Sequence, residues 1–259
     1  MVVLPDTFPM LEVKTLSKHF GGVRAVDGLD LRVERGEIFG LIGPNGSGKS
    51  TLVNVICGVL QPTSGEILFE GRSLDGQAPS ARLRTGIART FQNIRLFGGL
   101  TVWQNLWVAG NSTEDIKSQS IVSRWIGTST RLKREIEVML EFSDLADKAD
   151  VLASNLAFGE QRRLELARAI AAKPRLLLLD EPAAGMNQAE VGELEKRLRS
   201  LRKQGMTIVL VEHVMQLVMG VTDRIAVLNF GSKIAEDTPE NIQQDKAVQT
   251  AYLGQSDES

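Results

Sequence analysis

Apolar and polar positions change their period twice along the chain. "LEVKTL" (Leu11–Leu16) alternates, and "VDGLDLRVERGE" (Val26–Glu37) reads as a strand closing in a tight turn. "EIFGLIG" is an unbroken apolar run of buried-strand length, and "SGEILFEG" is a short strand between glycines. From about Thr101 to Ala172 the period is helical. It is clearest in "RLKREIEVMLEFSDLADKAD", where Leu132, Ile136, Met139 and Leu140 fall on one face. The polar stretch "GNSTEDIKSQS" interrupts this region as a loop. Strands return in "RLLLLDEP", "GMTIVLVEH" and "DRIAVLNFG", separated by helices, an alternation that predicts a parallel α/β sheet. "QSDES" ends the chain as a polar tail. No internal repeat is visible, so one nucleotide-binding unit is expected.

Composition narrows this picture. With 259 residues and 42% apolar residues, the chain can build one large domain or a domain with a subdomain. The net charge of −2 implies no general affinity for polyanions, and no nucleic-acid partner is expected. Cys57 is the sole cysteine, so no disulfide forms within the chain; it is read as a small core residue on the helix after the glycine loop. No apolar run approaches the ~18 residues of a membrane span. "MVVLPDTFPM" lacks a basic start and is broken by Pro5 and Pro9, unlike a signal peptide. Any membrane role is expected to come through a partner.

"GPNGSGKST", Gly43 to Thr51, carries the first chemistry. Gly43, Gly48, Lys49 and Ser50 fit the phosphate-loop spacing G-x-x-x-x-G-K-[ST], with a strand before it and apolar helical sequence after it. Glycines let the backbone close around a phosphate chain, and the helix start adds partial positive charge. Gly43, Asn45, Gly46, Ser47, Gly48, Lys49, Ser50 and Thr51 are therefore expected to hold a nucleoside triphosphate. Lys49 would reach the β- and γ-phosphates, and Ser50 would ligate Mg²⁺.

A second site ends "LLLLDEP". Four leucines fit a strand buried on both faces, which places Asp180 and Glu181 at its C-terminal end, where open α/β sheets bind ligands. Asp180 would hold Mg²⁺, and Glu181 would polarise an attacking water. His213 follows "TIVLVE" at the end of the next strand; it contacts the γ-phosphate or the attacking water, or it is only structural. Gln92, in "ARTFQNIRLF", could ligate Mg²⁺, position water or sense a moving subdomain. His19 receives no role.

In this order the pieces resemble the ATP-binding cassette (ABC) ATPases over nearly the whole chain. The most diagnostic stretch is "NLAFGEQRRLELARAI" (Asn155–Ile170), which is similar to the family's "LSGGQ" signature at the start of a helix. The resemblance implies a P-loop NTPase (RecA-like) core with an antiparallel β subdomain over residues 1–92. An inserted helical signature subdomain would follow over 93–172, and the rest of the core with C-terminal helices over 173–259, all within a single ATPase domain. It also implies a head-to-tail dimer in which Gly159 and Glu160 of one subunit close over ATP held by the other. Gln92 is then the Q-loop glutamine, His213 the switch histidine and Phe20 the aromatic that stacks on adenine, against the alternative that Phe20 is plain core. The chain departs from the pattern at three points. Ala157 stands in place of the signature serine, Phe158 in place of its first glycine, and Asn187 in place of the D-loop aspartate.

"LAFGEQRRLELAR", "DEPAAGMN", "EHVMQLVMGVTDRIAVLNFG" and "GIARTFQNIRLFGGLTVWQNL" look like the ATPase subunits of bacterial branched-chain amino-acid importers. That branch implies ATP hydrolysis coupled to import. It implies two membrane permease subunits docked at the Q-loop and helical subdomain, and a periplasmic solute-binding protein. The location implied is the cytoplasmic face of the inner membrane. Arg82, Arg84, Arg89 and Arg95 cluster around the Q-loop, either as part of that docking face or as a solvated basic surface. Alternatives are urea import or lipopolysaccharide export, whose ATPases have similar signatures. A cassette ATPase acting on DNA is disfavoured because about one hundred residues without sustained heptads separate loop and signature. One acting on the ribosome usually carries two cassettes per chain, and a simple kinase or GTPase lacks the signature helix.

Overall fold

The computed structural model describes residues 8–90, 94–111 and 130–253. The loop "GNSTEDIKSQS" falls almost wholly outside these residues, as do Gln92, most of "MVVLPDTFPM" and the tail "QSDES".

Two sheets divide the strands. The first is antiparallel, with β1 (Leu11–Phe20), β2 (Val23–Val33), β4 (Ser64–Phe69) and β5 (Arg72–Ser73) in the order β2-β1-β4-β5. β1 and β2 form a hairpin that pairs Leu11 with Val33 and Phe20 with Val23. The second sheet orders β10 (Ser232–Asp237), β9 (Arg224–Asn229), β3 (Ile38–Ile42), β8 (Thr207–Val211), β7 (Leu176–Asp180) and β6 (Ile87–Arg89). Its β9, β3, β8, β7 and β6 run parallel, as the alternation predicts. β10 returns antiparallel at the edge, a turn the sequence pattern did not reveal. The run of four leucines in β7 splits by parity: Leu176 and Leu178 enter the core under the antiparallel sheet, Leu177 and Leu179 the core on the opposite face.

α1 (Lys49–Ile56) lies in the first of these cores and buries Leu52, Val53, Val55 and Ile56 among residues of both sheets. Cys57 caps its C-terminal end, one residue past the helix where it was expected. The opposite core is closed by α6 (Gln188–Lys203) and α7 (Met215–Val221), through Leu194, Leu198, Leu201 and Leu217. A third apolar cluster joins α3 (Val102–Gly110), α4 (Thr130–Ser143) and α5 (Phe158–Ala171). There Leu132, Ile136, Met139 and Leu140 of α4 share one face, as their spacing requires. α2 (Pro79–Thr85), α8 (Pro239–Gln244) and α9 (Lys246–Leu253) complete the described helices.

The basic cluster is corrected by its surroundings. Arg82 is only 2% exposed. Its guanidinium donates to the carbonyls of Val55 (2.6 Å), Ile56 (2.7 Å), Leu74 (3.0 Å) and Gln77 (3.2 Å). It thereby satisfies the last turn of α1, whose carbonyls have no helical partner and carry the negative end of the dipole. Arg89 also points inward, to Asn54 and Asp180. Arg84 and Arg95 alone of the four are exposed.

Candidate nucleotide site

The phosphate loop joins β3 to α1, and its shape depends on glycine at two crowded positions. A Cβ on Gly43 (φ 148°) would lie 2.1 Å from the Leu228 carbonyl oxygen, and one on Gly48 (φ 105°) 2.2 Å from that of Ala25. Both distances are far inside contact, so only hydrogen fits. The loop is braced from outside, because Gly231 donates its N–H to the Ser47 carbonyl (3.0 Å) and accepts from Asp27 N–H (2.9 Å). Within it, the buried Lys49 ammonium donates to the carbonyls of Gly43 (2.7 Å) and Pro44 (2.8 Å) and to Ser47 Oγ (3.3 Å). Burial pulls its pKa down against the attraction of Glu181 and Asp180. A cavity of about 250 Å³ opens over the loop, lined by Ala25, the residues 45–51 and Glu181.

Strand ends bring the acidic and imidazole groups to this cavity's side of the sheet. β7 and β8 end together, with Asp180 paired to Val211. Asp180 is 5% exposed, and its Oδ2 accepts from Arg89 at 2.7 Å. Glu181 turns out of the strand with φ 49°, a left-handed backbone that costs a non-glycine residue about 1 kcal/mol or more. Its N–H is held by the Val211 carbonyl at 2.8 Å. His213 is well exposed, with Nδ1 at 3.8 Å from Glu181 Oε1 and 3.6 Å from Glu212 Oε2.

The remaining candidates stand apart. Phe20 does not line the cavity; its ring is half exposed at the hairpin end, with the Lys18 ammonium 5.1 Å from the ring centroid. The core alternative for Phe20 therefore fails. The signature opens α5 as expected, with Ala157 in the N-cap position but without a capping oxygen. Glu160 reaches back to the Ala157 N–H (3.0 Å) and to the Lys148 ammonium (2.5 Å), which holds its carboxyl below the usual range. Gly159 faces α6, where a Cβ would meet Glu190 Oε1 at 2.7 Å. Asn187 caps α6, accepting from Ala189 N–H (2.9 Å) and Glu190 N–H (3.1 Å). Another cavity, of about 300 Å³, separates α5 from α6 and is lined by Leu166, Leu179 and Leu194 with Arg162, Arg163 and Arg197. Gly159 of the signature lines it too, but no residue of the phosphate loop does, so size alone does not mark the nucleotide site. Gln92 lies outside the described residues.

Sequence reasoning passed over Glu212 and gave Arg89 the wrong surroundings. Glu212 had a usable signal: like Asp180 and Glu181, it is a carboxylate placed directly after an apolar strand.

Comparison with known proteins agrees with this geometry. Residues 26–184 match the family model "ABC transporter", and residues 232–258 match "Branched-chain amino acid ATP-binding cassette transporter". The high-affinity branched-chain amino acid transport ATP-binding protein LivG of Escherichia coli (strain K12) is 42% identical, over 96% of this chain and 99% of its own length. The corresponding protein BraF of Pseudomonas aeruginosa is 40% identical over the same shares. Among solved structures, the ADP conformation of an ATP-binding cassette of an ABC transporter superposes with a TM-score of 0.83 at 29% identity, covering 96% of this chain and 100% of that one. The chain belongs to the ATP-binding cassette family, as the ATP-hydrolysing, ATP-binding subunit of a branched-chain amino acid ABC transporter.

Proposed function

We propose that the chain binds Mg²⁺-ATP at the phosphate loop and hydrolyses it with Glu181 as the base that polarises the attacking water. The observation that carries this is the phosphate-loop cavity with Glu181 in its wall and Asp180 and His213 beside it at the ends of β7 and β8. Lys49 exchanges its bonds to Gly43, Pro44 and Ser47 for bonds to the β- and γ-phosphates. His213 contacts the γ-phosphate, Gln92 reaches the metal and the water, and Phe20 stacks on adenine.

Ser50 and Asp180 would hold a magnesium ion, which would supply positive charge against the negative charge of the triphosphate. Among the described residues no group of three or more His, Cys, Asp or Glu side chains converges on a metal position. One hydroxyl and one carboxylate suit magnesium, which keeps several waters and leans on substrate phosphates.

The α5 start, with Gly159 and Glu160, closes over the nucleotide of a second cassette, and the two copies sandwich two ATP molecules. None of the described helices is long and apolar enough to cross a membrane. We infer that two permease subunits supply the path, docking at the Q-loop and the helical subdomain on the cytoplasmic face of the inner membrane. A periplasmic binding protein delivers leucine, isoleucine or valine. The relatives' printed function and the match over residues 232–258 support this solute class.

Two experiments test the reading. Glu181→Gln should retain ATP binding, lose turnover by about three orders of magnitude and accumulate as an ATP-stabilised dimer on size exclusion. Turnover at the wild-type rate would remove Glu181 from the mechanism. Reconstitution with the permeases in liposomes should give ATP hydrolysis that rises with leucine-loaded binding protein. Stimulation by urea and not by leucine would overturn the solute and leave the ATPase intact.

A further inference from the structure

Glu212 is a carboxylate with no exposed side-chain surface, set between the two loops that carry Glu181 and His213. Its Oε1 accepts from Ala183 N–H at 2.8 Å. Its Oε2 accepts from His213 N–H at 2.7 Å and Val214 N–H at 3.0 Å. The first bond belongs to the loop after β7, the other two to the loop after β8. A charged acceptor strengthens each bond roughly twofold over a neutral one, and burial removes water as a competitor.

The backbone shows why such a tie is needed. Glu181 sits in the left-handed region at φ 49°, a conformation that persists only when its surroundings hold it. Two bonds from the end of β8 do so: Val211 C=O to Glu181 N–H on one side, and Glu212 to Ala183 N–H two residues later. The same Glu212 oxygen that binds the His213 and Val214 amides lies 3.6 Å from His213 Nδ1. One side chain thus sets the backbone of the base and the place of the imidazole.

We propose that Glu212 is a positioning residue for ATP hydrolysis, a buried staple that makes the Glu181 loop and the His213 loop move as one unit. This rests on the reading of Glu181 and His213 given above. Glu212 touches neither phosphate nor water; it acts through His213, which meets the γ-phosphate, and through Glu181, which polarises the water. Movement of His213 when nucleotide arrives is passed through Glu212 to the backbone beside Glu181, so base and switch are set together.

The test compares Glu212→Gln, Glu212→Ala, His213→Ala and the double variant Glu212→Gln/His213→Ala. Glutamine keeps the volume but leaves one acceptor oxygen for three amide donors. Equilibrium ATP affinity should stay within about twofold of wild type while turnover falls about tenfold or more. Added to His213→Ala, Glu212→Gln should remove clearly less than it removes alone, because the share that passes through the imidazole is already gone and only the share through Glu181 remains. Equal losses in affinity and turnover, or losses that multiply in the double variant, would overturn the proposal. A His213→Ala chain with full turnover would remove the site reading and this proposal together. A crippled His213→Ala with multiplying Glu212 losses would remove this proposal alone. Hydrogen exchange on the wild-type chain tests the same claim without a substitution: the amides of Ala183, His213 and Val214 should open with one common protection. Widely different protection among the three would overturn the staple.

Discussion

The chain carries two glycine-containing helix starts, at α1 and at α5, and they are built by different rules. The α1 start completes itself. Gly43 and Gly48 accept contacts that no side chain would fit, Gly231 braces Ser47 from outside, and the lysine is held by three oxygens of its own loop. The α5 start is a fragment by comparison. Ala157 offers no capping oxygen, Gly159 has ordinary backbone angles, and the Phe158 ring is half exposed against Gly185 of the loop after Glu181. A helix start with unsatisfied N–H groups attracts an anion, yet nothing in the described residues gives this one a lysine within the loop. Nine consecutive residues carry most of the first site's lining, with Ala25 and Glu181 beside them. The second, on the function proposed above, acquires meaning only beside another copy.

That contrast is most easily broken at Lys49. Two charge-assisted bonds to phosphate are worth together about 4 kcal/mol. Lys49→Ala should therefore weaken ATP binding by about three orders of magnitude in calorimetry on the single chain. The variant should also fail to dimerise, since no nucleotide is held. Unchanged affinity would mean that the first site is no more self-sufficient than the second.

The opposite behaviour is expected at Gly159. Gly159→Asp should leave ATP affinity of the single chain as it is, while turnover and ATP-dependent dimerisation fall about 100-fold. The new carboxylate would add negative charge beside the approaching γ-phosphate at a cost of about 3 kcal/mol in a partly dry interface. Within the chain it would also press on Glu190, whose Oε1 lies 2.7 Å from the Cβ position. Gly159→Asn has the same shape without the charge and so isolates the steric part, while Glu190→Gln added to Gly159→Asp removes the charge repulsion within the chain and leaves that of the phosphate. Equal loss in Asp and Asn variants would assign the damage to Glu190 and sever α5 from the nucleotide.

How much of each site could be read in the sequence follows from the same difference. The places of the phosphate loop, Asp180 and Glu181 in the fold are legible in the sequence because local spacing and one apolar strand define them. The elements that escaped lie at edges: β5 has two residues and β6 three, too few for any period to register, and the six residues of β10 bury no face that would show one. Arg82 and Arg89 misled because a run of charges reads as surface, whereas their acceptors lie far off in the chain, on α1 and β7. Only the packed fold shows that Arg82 ends α1 as firmly as the glycine loop begins it. Arg82→Ala would take a donor from four carbonyls; Val55 and Leu74 would keep the N–H of Gly58 (3.0 Å) and of Gln77 (3.2 Å), but Ile56 and Gln77 would lose their guanidinium donor with no such backbone bond in reserve, at about 3 kcal/mol. That should lower the melting temperature by about 5–10 °C. ATP affinity measured well below that temperature should change little; a melting point near wild type would show that water can reach those carbonyls.

The smallest change would make the second helix start resemble the first more closely. At present α5 has half of a reciprocal cap: Glu160 returns to the Ala157 N–H at 3.0 Å, but Ala157 has no oxygen to offer the amide of Glu160. Its backbone angles, φ −62° and ψ 156°, are already those of a capping residue. Ala157→Ser can therefore add the missing bond without moving the chain. The expected gain is about 0.5–1 kcal/mol, or roughly 2 °C in thermal unfolding, with turnover within about twofold of wild type. Stabilisation without a change in turnover would assign the serine of related signatures a structural share that Glu160 and Lys148 here already carry in part. A rise in turnover well above twofold would instead show that the hydroxyl acts on the nucleotide of the second copy, and that Ala157 limits hydrolysis in this chain.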